Sequence, residues 1–280
     1  MSSDSPILYE TPEPGIARIV LNRPAARNAQ DTRMLYALND AFDRAVAEDG
    51  VKVIILASTG PHFSAGHDLR EADPFGNMAG ERPVGTWGGL GSQASERRYA
   101  REMEIYLGLS ERWRNLSKPT IAQVQGKCIA GGLMLAWPCD IIVASEDAEF
   151  LDNTLTMGAM GVEFFVHPWE MGARKAKEHL FTAEPISAQE ALAIGMVNKV
   201  VPRDALAEAT LEMARKIARM PMLALKLAKE AVNNAQDAQG RVQAMRTAFA
   251  LHQLTHAQNE QVFGMLVDPT LMKPAFTEKL

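Results

Sequence analysis

Apolar and polar positions along the first 200 residues follow a pattern that predicts strands alternating with helices. Residues 7–10 and 16–21 are predicted as two strands of a hairpin, and a helix capped by Asp31 follows to about Glu48. The nearly continuous apolar run of residues 51–57 predicts a strand buried on both faces. Strands that alternate with helices indicate an α/β fold with parallel strands.

The stretch from Thr120 to Ser145 has the pattern strand, tight turn, short apolar helix, strand. Gly131 and Gly132 open the helix, and Pro138 ends it. A glycine pair at a helix N-terminus allows close approach to the backbone and leaves N–H groups exposed at the positive end of the helix dipole. This turn therefore predicts either an oxyanion or phosphate site or a tight turn between two core elements.

Two segments between these strands are further candidates for the edge of a site. The loop STGPHFSAGHDLR, residues 58–70, follows the buried strand, and ligands gather at the carboxyl ends of such strands. Its alternative interpretation is a surface turn. Residues 71–96 contain six glycines and little periodicity, which predicts a long flexible loop. In that loop Phe75 and Trp87 either cover an apolar ligand or are incidental exposed aromatics.

The rest of the chain is predominantly helical. A helix is predicted from about Arg97 to Leu116, and its aromatic residues are interpreted as core rather than as ligand contacts. After a strand-like piece near residue 200, three helical segments are predicted, over 203–220, 222–234 and 240–263. The chain is therefore divided into an α/β part, residues 1–200, and a helical C-terminal part, residues 201–280.

Composition and charge exclude several classes of function. Hydrophobic residues make up 47% and charged residues 22% of the chain, and the net charge is -5, so we expect a globular protein that does not bind nucleic acid. Cys128 and Cys139 lie in the apolar central stretch, which favours a reducing compartment over a disulfide framework. The chain has no CxxC pair, and no metal site is predicted. A polar N-terminus and the lack of a long apolar run predict neither a secretory signal nor a membrane span, and we expect a cytoplasmic protein.

Four segments together resemble one known family, the crotonase or enoyl-CoA hydratase/isomerase superfamily. They are LNRPAARNAQ at 21–30, FSAGHDL at 63–69, CIAGGLMLAWPCDIIVAS at 128–145 and LFTAEPISAQEALAIGMVNKVV at 180–201. They occur in the order and with the spacing of the family. The last residues, ending LMKPAFTEKL, resemble the usual C-terminal pattern poorly.

The resemblance implies an α/β spiral of repeated ββα units, a helical C-terminal region for trimerisation, and a homotrimer or dimer of trimers. It also implies an acyl-CoA thioester as substrate, with coenzyme A present only as part of that substrate and no separate cofactor. By position in the family motifs, the backbone N–H groups of Ala65 and Gly131 would bind the thioester oxygen. Gly66, His67 and Asp68 would contact coenzyme A, while Arg23 has two interpretations, a contact with its phosphates or a structural role.

The chain departs from the family pattern where hydratases carry two glutamates. Met134 stands three residues after the oxyanion glycine, and Thr154 stands four residues before Gly158, and neither can serve as the acid or base for water. Both residues are predicted to line the substrate site. Glu163 lies near the position of a working carboxylate in some family members, in an apolar setting that would raise its pKa. It could instead complement a helix dipole.

The sequence also leaves other acid–base candidates and other functions open. His67 resembles a histidine of thioester decarboxylases in the family, although a substrate-lining role is favoured, and Asp152 and His167 are further options. The main prediction is a lyase or isomerase of the enoyl-CoA hydratase type with a non-standard acid–base set. The alternatives are a catalytically silent acyl-CoA-binding protein and a thioester decarboxylase or hydrolase that uses His67.

Overall fold

The computed structural model describes residues 5–271, and its strands form a six-stranded sheet and a three-stranded sheet. The strands are β1 (Ile7–Glu13), β2 (Ile16–Leu21), β3 (Val53–Ser58), β4 (Thr120–Val124), β5 (Lys127–Ile129), β6 (Ile141–Ser145), β7 (Glu149–Leu151), β8 (Ile186–Ser187) and β9 (Lys199–Val201). The helices are α1 (Thr32–Ala47), α2 (Pro74–Ala79), α3 (Ala94–Glu102), α4 (Leu109–Arg114), α5 (Leu133–Ala136), α6 (His167–Met171), α7 (Ala173–Thr182), α8 (Ala188–Ala193), α9 (Leu206–Ala218), α10 (Met222–Ala238) and α11 (Arg241–Phe263). A π-helical segment, Met103–Gly108, joins α3 to α4.

The larger sheet has the strand order β1-β2-β3-β4-β6-β9, and every neighbouring pair except β1 and β2 is parallel. The loops that follow β2, β3 and β4 therefore meet at one edge. The Asn28 side chain in the first loop donates to the Thr59 and His62 carbonyls of the second, at 2.9 and 3.0 Å. The Phe63 N–H donates to the Gln125 carbonyl of the third, at 2.8 Å. These bonds join the three loops into one wall.

A unit of long strand, short strand and helix repeats along the chain. β4, β5 and α5 form one such unit, and β6, β7 and the following helices form the next. The short strands build the second sheet, in which β5 pairs with β7 in parallel and β7 pairs with β8 antiparallel. Single bridges between Ser64 and Cys128 and between Gln30 and His67 extend this sheet to the loops after β3 and β2. The predicted α/β spiral of repeated ββα units is confirmed.

Strand β3 is buried on both faces, as its continuous apolar sequence predicts. Ile54 and Leu56 pack into the main apolar core with α1 and α4, whereas Val53, Ile55 and Ala57 pack into a second apolar cluster on the opposite face. Helix α9 supplies Leu206 and Ala214 to that second cluster and lies across β2, β3, β4 and β6. The first helix of the predicted C-terminal part is therefore integral to the α/β core.

Several boundaries differ from the sequence-based expectations. The segment 71–96 is not a continuous loop, because α2 lies within it and the Asp73 carboxylate caps that helix by accepting from the Gly76 N–H. The helix predicted from Arg97 begins at Ala94 and changes to π-helical geometry at Met103. Strand β5 was not predicted, since it covers only three residues. Within residues 5–271, no helix has both the length and the hydropathy needed to cross a membrane.

Candidate active site

A cavity of about 860 Å³ opens among the loops that follow β2, β3, β5 and β7, and the α3–α4 region and α11 close its sides. Its volume lies in the range of small-molecule sites in proteins. The chemically important residues that line it are Ala65, His67, Asp68, Glu102, Tyr106, Gly131, Thr154, Glu163, His252 and His256. Phe75 and Trp87 do not line this cavity: the Arg97 guanidinium covers the Phe75 ring, and Trp87, which is 61% exposed, packs against Tyr99.

The backbone N–H groups of the loop after β3 are almost all occupied. The Ala65 N–H donates to the Arg27 carbonyl at 3.0 Å, so it is not available to a ligand, and the predicted role of Ala65 as an oxyanion donor is corrected. The N–H groups of Ser64, Gly66 and Asp68 also have protein acceptors. Across residues 64–68 of the described chain, only the His67 N–H has no recorded acceptor. The backbone pairing of this loop with residues 27–30 thus leaves the His67 N–H as the available donor.

Gly131 lies directly against the His67 side chain, in the short helical turn Ala130–Gly132 that leads into α5. A Cβ atom on Gly131 would lie 2.5 Å from Cδ2 and 2.7 Å from Nε2 of the His67 imidazole. A Cβ on Gly66, whose φ is +94°, would lie 3.2 Å from the Gly131 nitrogen. Glycine is required at both positions for the two loops to approach each other. Gly66 itself does not line the cavity, so its predicted contact with coenzyme A is replaced by a packing role.

Glu163 is a buried carboxylic acid that lies beside the His67 ring. Its side chain is almost fully buried, with Oε1 3.8 Å from Nδ1 of His67 and 3.6 Å from Nε2 of His252. Burial raises the pKa of Glu163 well above its ordinary value, and the charge of the nearby Glu102 raises it further. A carboxyl group with a raised pKa has a conjugate base strong enough to accept a proton from carbon more readily than an ordinary carboxylate.

The His67 imidazole stacks face to face on Tyr106, with ring centroids 3.7 Å apart and an angle of 5° between the planes. Its Nε2 is buried and has no hydrogen-bond partner within residues 5–271. Burial lowers the pKa of His67 to about 3, and the positive charge of Arg101 acts in the same direction. The ring is therefore neutral and weakly basic, which disfavours a role as a general base.

Asp152 and His167 lie behind the cavity wall rather than in it. Asp152 is fully buried and accepts hydrogen bonds from the Thr154 N–H and hydroxyl and from the Val162 N–H, while its Oδ2 lies 2.9 Å from Nε2 of His167. Burial by itself would raise the pKa of Asp152, but the bonds from His167 and Thr154 outweigh it and hold the pKa well below its usual range. Neither residue lines the cavity, so both are structural and neither is an acid–base candidate.

Comparison with known proteins identifies the family. The family model described as "Enoyl-CoA hydratase/isomerase" matches residues 11–81 and 88–278. The chain belongs to the enoyl-CoA hydratase/isomerase family. The putative enoyl-CoA hydratase EchA13 of Mycobacterium tuberculosis is 49% identical over 263 residues, which cover 92% of this chain and 83% of that protein.

Other members of the enoyl-CoA hydratase/isomerase family are similar over nearly the whole chain. The crystal structure of a probable enoyl-CoA hydratase from Mycobacterium thermoresistibile has a TM-score of 0.85 and 46% identity, and the match covers 94% of this chain and 99% of that one. The 2,3-dehydroadipyl-CoA hydratase of Escherichia coli K12 is 30% identical over 254 residues, 89% of this chain and 91% of that protein. These matches confirm the resemblance and support an enzyme of this family.

Met134 and Thr154 occupy the two positions at which the sequence analysis expected the glutamates of a hydratase. Met134 is buried in the main apolar core and does not line the cavity, so its predicted contact with the substrate is corrected. Thr154 does line the cavity, but its hydroxyl donates to Asp152 at 2.6 Å and is therefore already engaged. Glu102 and Glu163 are two buried carboxyl groups that line the cavity instead.

Arg23 and Asp68 hold the cavity rim together. The Arg23 guanidinium binds Asp68 at 2.9 Å and Asp31 at 3.1 Å, and it also donates to the Ala29 carbonyl. Arg23 does not line the cavity, which favours its structural interpretation. Arg27, which is exposed and does line the cavity, is better placed for an anionic ligand.

Several cavity residues were missed by the sequence analysis, among them Arg27, Glu102, Tyr106, His252 and His256. Tyr106 belongs to the apolar stripe interpreted as core, and helical periodicity does not distinguish a face that packs on the core from one that lines a cavity. His252 and His256 are separated by three residues, and this i, i+4 spacing on a helix is a typical signal of a metal or polar site. That spacing could have identified them.

Proposed function

We propose that this protein transfers a proton on the acyl chain of an acyl-CoA thioester, with an enolate as the intermediate. The observation that carries the proposal is that one cavity is lined by Glu163 and by the two adjacent backbone positions His67 and Gly131. Membership of the enoyl-CoA hydratase/isomerase family supports an acyl-CoA thioester as the ligand.

The thioester oxygen would accept hydrogen bonds from the N–H groups of His67 and Gly131. Negative charge develops on this oxygen when a proton leaves the α-carbon, and fixed donors stabilise that charge in a site from which water is excluded. The Ala130–Gly132 turn and α5 add the positive potential of a helix N-terminus. His67 therefore enters the proposal through its backbone, and Arg27 would contact a phosphate of coenzyme A.

Glu163 would act as the single acid–base group in an isomerisation. Its carboxylate removes a proton from the α-carbon of a 3-enoyl thioester, and the C–H electrons pass into a dienolate. The carboxyl group then returns that proton to the γ-carbon, which moves the double bond into conjugation with the thioester. Addition of water would need a second carboxylate to activate it, and Met134 and Thr154 stand where hydratases carry those groups.

The Glu163→Gln variant tests this proposal because it keeps the size of the side chain and removes its acidity. With a panel of 3-enoyl-CoA and 2-enoyl-CoA esters, we expect kcat to fall by at least about 100-fold, as is typical for the loss of a general acid–base group. Binding of the acyl-CoA, measured by calorimetry, should change little. Glu170→Gln is a matched control, since burial raises the pKa of Glu170 to about 7 but this residue lines a different cavity.

Full turnover by Glu163→Gln would refute a catalytic role for Glu163. A second candidate function is acyl-CoA binding without chemistry, and it is favoured by the positions of Met134 and Thr154. Stoichiometric binding by the wild-type protein with no turnover across the panel would support that second function. Release of free thiol or loss of carbon dioxide would instead indicate hydrolysis or decarboxylation.

We also propose that the subunits assemble as a homotrimer or a dimer of trimers through the region 201–280. Helix α10 supports this because none of its 17 residues is buried, although it carries apolar side chains. Leu223, Leu227 and Val232 are 68%, 54% and 64% exposed. Exposed apolar side chains that cluster on one element are typical of a protein interface. The cytoplasmic location stays a prediction.

A further inference from the structure

We propose that Glu102, His252 and His256 form a binding site for a divalent transition-metal ion of the zinc class. A carboxylate oxygen of Glu102 and one ring nitrogen of each histidine lie within 4.8 Å of one another, and all three residues are buried. They lie beside Glu163 on the cavity wall. This site is additional to the acid–base function proposed above and does not depend on it.

The protonation of the two imidazoles follows from their partners. Nδ1 of His252 lies 2.7 Å from the Gly161 carbonyl, and Nδ1 of His256 lies 2.8 Å from the Leu266 carbonyl. A carbonyl oxygen can only accept a hydrogen bond, so each Nδ1 must carry the hydrogen. In a neutral imidazole the other nitrogen then has a lone pair.

The two Nε2 atoms face each other at 2.9 Å. Two neutral rings would therefore direct lone pairs at one another, an arrangement that requires a positive group between or beside them. Imidazole nitrogen is a preferred ligand of zinc and related ions. Metal-bound histidines usually donate their other N–H to a carbonyl or carboxylate, which is the arrangement of both rings here.

The distances suit a single ion. Nε2 of His256 lies 3.7 Å from Oε1 of Glu102, and Nε2 of His252 lies 3.9 Å from Oε2. Ligands bound tetrahedrally at about 2.0–2.2 Å from a zinc ion are roughly 3.3–3.6 Å apart. To reach that geometry, one oxygen of Glu102 would have to approach both nitrogens, and the two Nε2 atoms, 2.9 Å apart, would have to separate by about half an ångström.

Neighbouring side chains orient the carboxylate. Gln253 donates to Oε2 of Glu102, and Nε of Arg98 donates to the Gln253 amide oxygen at 3.2 Å. Partners of this kind fix a metal ligand and raise its affinity. Two histidines and one carboxylate form the ligand set of zinc sites that keep a coordination position open, and here that position would face the cavity. A bound ion would offer it to an oxygen atom of the ligand.

Metal binding by the tag-free, full-length protein is the direct test. After treatment with a chelator and its removal, Zn²⁺ uptake is measured by calorimetry, and Co²⁺ uptake by the visible absorption of the bound ion. We expect one equivalent to bind. His256→Gln and Glu102→Gln should weaken affinity by more than about 100-fold, since loss of an outer partner alone typically costs 10–100-fold. Gln253→Ala removes only an outer partner and should weaken affinity by about 10–100-fold.

His62→Gln is the matched control, because it removes one imidazole that lies outside the cluster and should leave affinity unchanged. If the wild-type protein takes up neither ion, the two rings share a proton and the proposal is overturned. It is also overturned if His256→Gln binds as tightly as the wild type. The wild-type titration decides the question even where a variant fails to fold.

Discussion

At the scale of single residues, the space between Gly131 and the His67 ring is too small for any side chain at position 131. The His67 ring is held between Gly131 on one side and Tyr106, on which it stacks, on the other. A side chain on Gly131 would meet the ring within 2.7 Å. The ring cannot move away freely, so the backbone of the turn would have to move instead.

We therefore expect Gly131→Ala to lower kcat/KM by about 100–1000-fold, the usual effect of losing one oxyanion donor. Steady-state kinetics with the best acyl-CoA substrate would measure this loss. Gly50→Ala is a suitable control, because a Cβ there meets nothing within 4 Å and its φ is not positive. Activity of Gly131→Ala within a few-fold of the wild type would show that the turn does not bind the oxygen.

The residue scale also shows what a sequence can predict of this site. Gly131 was identified because a glycine pair at the start of a helix is a local signal. Glu163 was identified because it lies near the position of a working carboxylate in some family members, in an apolar setting. The donor role was predicted for Ala65, whose N–H bonds to the Arg27 carbonyl, whereas the His67 N–H is available. Which N–H of the loop remains available depends on the pairing of that loop with residues 27–30, and this pairing is a long-range property.

At the scale of elements, Asp152 joins the end of β7 to the turn that follows it and to α6. Its carboxylate receives bonds from Thr154, Val162 and His167, and its own N–H donates to Nε2 of His179 in α7. The depressed pKa of Asp152 stabilises the folded state at every pH above the unfolded value of about 3.9. That contribution is lost as pH falls from there toward the folded pKa.

Asp152→Asn should lower the free energy of unfolding by about 3 kcal/mol near neutral pH, as is typical when hydrogen bonds to a buried charged group are lost. The difference from the wild type should stay constant down to about pH 5 and shrink below about pH 4, since only the wild type has the titrating carboxyl group. Denaturant unfolding of both proteins at a series of pH values measures this difference in the free energy of unfolding. The exposed Asp40→Asn variant should show no such difference, and a gap unchanged at pH 2 would contradict the assignment.

Much of what the sequence did not predict concerns where helices begin, end or change geometry. The helical pattern from Arg97 to Leu116 correctly predicted a helix, but periodicity did not locate the π-helical segment Met103–Gly108 or the start at Ala94. Helix α2 was missed because its six residues include a glycine and a proline. Its cap, Asp73, depends on one side-chain bond that composition does not indicate.

At the scale of the whole molecule, α10 lies over a second cavity, of about 460 Å³, and has no buried residue of its own. Burial of apolar side chains within one subunit therefore contributes little to its stability. Lys229 and Asn233 of α10 form polar contacts with Asp140 and with the Arg114 carbonyl. Other subunits are the partners that we propose for the exposed apolar side chains of α10.

The double variant Leu223→Asp/Leu227→Asp should dissociate the proposed assembly. Light scattering coupled to gel filtration would then give about the mass of one chain, 30.6 kDa, instead of three or six times that mass. Charged groups in place of these side chains would be buried without partners on association. Val84→Asp, at an exposed position outside the region 201–280, is the control. A monomeric wild type would refute the proposed trimer.

Contacts between residues far apart in the sequence were the features hardest to predict from it. Glu102 and His252 are 150 positions apart, and no local pattern indicates that α3 and α11 lie on the same cavity. The division of the chain near residue 200 likewise missed that α9 packs on the large sheet. The family resemblance gave the fold, whereas the polar cluster became visible only when the helices were placed.

Because His252 bonds to the Gly161 carbonyl, the site is completed only after α11 has been synthesised. Glu163 leaves the ribosome about 90 residues before His252, an interval of roughly 5–20 s at typical rates of elongation. During that interval the residues of α11 that close one side of the cavity are absent, so the carboxyl group lacks part of the burial that raises its pKa in the folded chain. A nascent chain stalled before α11 would have the glycine turn of the site but not the closed environment of its acid.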